Sequence, residues 1–179
     1  MTSPVHIDDP KVMRALAHPA RLAILTRLHQ HGPTTATECA EVTGLSPSAT
    51  SYHLRALADY GLIEKAESRG DGRETVWQSK STHMHVHQDT PESRTAGRHL
   101  LKAWLARQDQ VLDEWMDQEH TQSPEWRDVV RVDNVRVTVT PERLVELMER
   151  VHGLLEEYRD EPGDNARKVS ISFRAVPLL

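Results

Sequence analysis

The sequence predicts a mainly α chain with a β-wing, ending in a small α+β region. Three observations carry that reading. Apolar residues recur at helical spacing through residues 8–57, 92–119 and 141–158. A glycine-bearing tip, Gly70-Asp71-Gly72, separates two short extended runs, the signature of a β-hairpin. Two further runs, 129–140 and 168–176, alternate apolar and polar residues as strands do.

Taken in order, the first helix spans 8–18. Asp8 or Asp9 caps it, Pro10 sits in its first turn, and Val12, Met13, Leu16 and Ala17 share a face. Pro19 restarts the chain, and Arg21–Gln30 forms a second helix with Leu22, Leu25 and Leu28 inward. The residues Gln30, His31, Gly32 and Pro33 end it. A short third helix, about Thr37–Thr43, carries Cys39, Ala40 and Val42 and stops at Gly44. The next helix opens with Ser46 as N-cap and Pro47 in the first helical position, where a missing N–H costs nothing. Its Thr50, Leu54 and Leu57 fall at i, i+4 and i+7, facing the core, and Gly61 ends it. The hairpin follows, its tip at Ser68–Glu74.

Short helix, turn, polar helix is a helix-turn-helix, and the hairpin after it makes a wing. Residues 8–80 therefore read as a winged helix-turn-helix DNA-binding domain. Residues 81–91 read as a linker. Residues 92–119 form one long helix in which Leu101, Trp104, Val111 and Trp115 repeat at coiled-coil spacing beside Leu105 and Leu112. Such a wide apolar stripe needs a partner, so these six residues are the expected homodimer interface. Residues 124–179 read as strand, helix, strand. Two strands do not stand alone, so this region packs on the long helix or on another copy. It serves either to stabilise a dimer or to hold an apolar small-molecule effector near Trp126.

Composition bounds the function. At 179 residues, with 37% hydrophobic and 27% charged content, the chain is globular: one compact domain, or a small domain with an appendage. No apolar run is long enough to span a bilayer. The opening MTSPVHIDDP lacks the order of a secretory signal. With Cys39 as sole cysteine no intramolecular disulfide forms, and the chain reads as cytoplasmic. The net charge of −5 lies in the C-terminal part: residues 1–80 carry 9 basic and 9 acidic side chains, the remainder 13 and 18. A neutral N-terminal half still binds DNA if its basic groups share a face. There is no Gly-rich phosphate loop, no HExxH and no nucleophile setting, so no enzyme is expected.

The major groove admits a helix, and short polar side chains and arginine read its base edges. Ser48, Tyr52 and Arg55 are therefore expected at bases, and Ser46 and Ser51 at phosphates. His53 is open between base edge, phosphate and sideways packing. Arg69 and Arg73 flank the wing's glycines, suited to a narrow minor groove.

The stretches ALAHPARLAILTRL (15–28) and GLSPSATSYHLRALADYGLIEKAESRGDGRETVWQ (44–78) resemble the ArsR-type winged-helix repressors over about residues 10–80. The resemblance implies a dimeric DNA-binding repressor. Many members hold a metal through cysteines, whose positions fall here on Thr35, Thr37 and Ala40; Cys39 stands where that family has Leu or Ile. Nor does the long helix carry the family's Asp/His pairs, since Gly97 lies two residues before His99 and the next histidine is His120. No cofactor or metal is expected. The only other candidates are His83, His85 and His87, which an extended chain would place on one face. The reading is thus a homodimeric repressor on a pseudo-palindromic operator, with double-stranded DNA as partner and no membrane. Its alternatives are a winged-helix protein-interaction module with weak DNA binding, or a histidine-based metal-responsive repressor.

Overall fold

The computed structural model describes residues 5–67, 74–81, 84–158 and 163–178. The chain divides into two compact units, Met1–Met116 and Asp117–Leu179. The first opens with β1 (Val5–Ile7), followed by α1 (Pro10–Leu16) and α2 (Pro19–His31). Both helices start on proline, and both caps are side chains: Asp9 Oδ1 accepts from Lys11 N at 2.7 Å, and His18 Nδ1 from Ala20 N at 3.2 Å. Gly32, with φ of 76°, turns the chain out of α2. After β2 (Thr34–Thr35) comes α3 (Ala36–Thr43), entered through a reciprocal capping box of Thr35 and Glu38. Then follow α4 (Pro47–Asp59), β3 (Ile63–Lys65) and β4 (Val76–Ser79). The strands form an antiparallel sheet in the order β2-β4-β3.

The core sits between these helices and the sheet. Met13, Leu16, Ile24, Cys39, Thr50, Leu54 and Leu57 are fully buried. Each buried leucine contributes about 2 kcal/mol. The predicted inward faces of α1, α2 and α4 hold, Val12 and Ala17 being only partly buried.

The linker is more structured than its sequence suggests. It contains β5 (Met84–Val86), which pairs in parallel with β1, placing Val5 beside Met84, His6 beside His85 and Ile7 beside Val86. Each strand is three residues long, too short for its alternation to stand out. Next comes α5 (Pro91–Gln118), whose first turns are buried through Ser93, Ala96, Gly97 and Leu100. A side chain at Gly97 would collide with Gln88. Beyond Leu100 no described residue is buried.

The second unit contains a 3-10 turn (Glu119–Thr121), α6 (Pro124–Arg127) and α7 (Pro141–Glu157). Thr140 caps α7, and its Leu144, Met148, Val151 and Leu155 line a half-buried stripe. The strands predicted at 129–140 and 168–176 do not form: neither run has ladder pairing. An alternating pattern creates a strand only when a neighbour takes its N–H and C=O groups. Here Val132, Val135, Ile171 and Val176 remain exposed. Side-chain bonds instead join the unit's ends: Trp126 Nε1 donates to Asn165 Oδ1 at 3.2 Å, and Arg167 lies over the Trp126 ring.

Candidate nucleic-acid interface

Local chemistry holds α4 in place. Ser46 Oγ accepts from Ala49 N at 3.2 Å, and Thr50 Oγ1 donates to Ser46 O at 3.0 Å. Gly44, at φ of 66°, makes the turn from α3, its N–H donating to Ala40 O. Thr43 and Thr50 meet at 3.4 Å across that turn. Thr50, Leu54 and Leu57 lock one side of α4 into the core. The opposite side is left free: Ser46, Ser48, Tyr52 and Arg55 are exposed and Ser51 is half-buried. Tyr52 is 61% exposed, unusually open for an aromatic residue. Arg55 is steered along the helix by Nε donating to Ser51 O at 3.1 Å. Beside it lies a shallow groove of about 470 Å³ lined by Arg21, Tyr52, Arg55, Ala56, Asp59 and Tyr60.

One of the grouped residues departs from this face. His53 is buried, at 9% exposure, with its ring 4.7 Å from that of His18 and no hydrogen-bond partner for Nδ1. Of its three possible places it takes sideways packing. Burial, then the His18 and Arg21 charges, hold its pKa below the ordinary value. The sequence carries the signal: 50, 53, 54 and 57 form one i, i+3, i+4, i+7 set.

Arg21, which the sequence reading passed over, ties α2 to α1 through Nη1 donating to Ala15 O at 3.1 Å. Cys39 is buried with its Sγ 3.9 Å from Thr34 Oγ1, and burial raises its pKa, so the thiol stays protonated. Arg69 and Arg73 fall outside the described residues, as does His83. On the tip side of the hairpin Thr37 Oγ1 donates to Glu74 Oε1 at 2.8 Å, and between its strands Gln78 Nε2 donates to Glu64 Oε1 at 2.9 Å.

On α5, Leu101 and Leu112 are exposed, at 52% and 38%, while Leu105, Val111 and Trp115 are half-buried. Trp104 packs partly against the core of its own chain. Among the described residues no helix is long and apolar enough to cross a membrane.

Comparison with known proteins gives matches over the same part of the chain. A family model described as a helix-turn-helix domain matches residues 16–66. The HTH-type transcriptional regulator YgaV of Escherichia coli (strain K12) is 40% identical over 70 residues, 39% of this chain and 68% of that protein. The HTH-type transcriptional regulator NmtR of Mycobacterium tuberculosis is 40% identical over 72 residues, 40% of this chain and 57% of that protein. A solved structure of a predicted DNA-binding transcriptional regulator from E. coli shares 30% identity over 51% of this chain and 81% of that one, with a TM-score of 0.34.

Proposed function

Because the chain belongs to the HTH-type transcriptional regulators, we propose that it acts as a homodimeric repressor on a pseudo-palindromic operator. The observation that carries this reading is α4: Thr50, Leu54 and Leu57 fix its buried side while Ser48, Tyr52 and Arg55 stand free on the other. In the major groove, Arg55 would pair with a guanine edge, and Ser48 and Tyr52 with neighbouring bases. Ser46 and Ser51 would take backbone phosphates, and Arg69 and Arg73 would enter the minor groove. One such helix buries too little surface to be selective, and two related by a two-fold axis read half-sites about one helical turn apart. The exposed stripe of α5 is the dimer seam. Residues 124–179 extend the dimer rather than enclose a ligand, since none of their described apolar side chains is buried.

Selection of bound genomic fragments by the purified protein, at two salt concentrations, tests this. An enriched inverted repeat is the expected result. A folded dimer that enriches no sequence would favour a protein-interaction module, for which the exposed valines of 129–140 speak.

A further inference from the structure

The small sheet of β1 and β5 has two unlike faces. Ile7 is buried, and Val5, Met84 and Val86 pack against the same core. His6 and His85 are register partners, so they share the opposite face, and His87 follows two residues on. All three are exposed. His6 Nδ1 lies 2.9 Å from His87 Nε2, the two rings meeting edge to edge with centroids 5.2 Å apart and planes 20° from parallel. The His85 ring is 5.5 Å from that of His6. The pairing of the first strand with the fifth thus brings His6 to two histidines about eighty residues away.

We propose that this histidine face binds a divalent metal of borderline softness, zinc or nickel, through His6 and His87, with His85 as third ligand. Two imidazole nitrogens this close share a single proton, one ring donating and the other accepting. A metal about 2.0–2.1 Å from each nitrogen takes that proton's place: the donor ring releases it to solvent and takes one up on its other nitrogen, so both rings stay neutral, and tetrahedral geometry opens the pair only to roughly 3.3 Å. As the side chains stand, no three donors converge on one point, so His85 turns toward the pair on binding. Neutral imidazole suits zinc and nickel, and the fourth position is left to water.

The sheet itself has need of such a clamp. Two parallel strands of three residues are marginal alone. Binding free energy at a site made only by folding becomes folding free energy. A metal here would fasten the N-terminal strand to the segment that leads into α5, which Gly97 and Gln88 already pack closely. This inference is independent of DNA binding and is tested without DNA.

Untagged protein freed of metal by chelation is titrated calorimetrically with zinc chloride alone and nickel chloride alone. The same titration is run on the triple variant His6→Ala, His85→Ala, His87→Ala and on His99→Ala as a control. We expect one metal per chain, weakened by about two orders of magnitude or more in the triple variant and unchanged in the control. Amide exchange at residues 5–7 and 84–87 should slow when metal is added. The single variants His6→Gln and His87→Gln, at exposed positions, serve if the triple variant misfolds. No binding by the parent chain, or equal binding by the parent and the variants, overturns the site. So does binding that leaves exchange in the two strands unaltered.

Discussion

In the proposed operator complex, Arg55 is the side chain on which base reading would most depend. Among the described residues its guanidinium has only the turn-internal bond to Ser51 O, and a bidentate contact to guanine is the commonest specific pairing. Arg55→Ala should weaken operator binding by about 1–3 kcal/mol and relax preference at a single position of each half-site. Selection on randomised operators with the variant would reveal it, and an unaltered profile would remove Arg55 from base contact. His53 makes a different prediction. Its folded pKa is held below the ordinary 6.5 by burial and by the His18 and Arg21 charges. The unfolded chain therefore takes up the proton first on acidification. The stability held by neutral His53 is complete above about pH 6.5 and drains away below it. Thermal melting at pH 7.5 and 5.5 should show a drop that His53→Gln reduces. A drop of the same size in that variant would place the dependence on other histidines.

At the level of the element, α4 and α5 respond to different changes. The Ser46 cap on Ala49 N is worth about 1 kcal/mol by the usual cost of replacing such a cap with alanine. Ser46→Ala should lower chemical-denaturation stability by about that much. A helix start held chiefly by Pro47 would show almost no loss. For α5 the informative position is Leu112, exposed at 38% in the single chain. Trp104, partly committed to its own core, would confuse folding with association. Leu112→Glu should shift sedimentation from dimer toward monomer while helix content by circular dichroism holds. A persistent dimer would move the seam off this stripe.

Taken whole, the molecule has an acidic balance, with its neutral half carrying α4, the proposed recognition helix. Operator affinity should still fall by orders of magnitude over a few-fold rise in salt, as counterion release from several phosphate contacts requires. A shallow slope would mean that few phosphates are engaged, and would favour protein docking over operator binding.

The sequence by itself determined the helices of residues 8–60, a first cap at Asp8 or Asp9 and another at Ser46, stops within Gln30–Pro33 and at Gly44, and the inward set Thr50, Leu54 and Leu57. These are local properties: a cap needs a neighbour two or three residues away, and a helix face needs only its period. Most of the free side of α4 was legible for the same reason. Only the tertiary structure decided the rest. Of the three places left open for His53, the contact with His18 at the start of α2 selected sideways packing, in line with its i+3 spacing from Thr50. The pairing that sets His6 beside His85 spans most of the first unit, and a three-residue strand reveals nothing of its partner. The alternating runs of 129–140 and 168–176 show the converse. Their pattern was plain, yet no ladder formed, because a strand's backbone bonds belong to its neighbour and not to its own sequence.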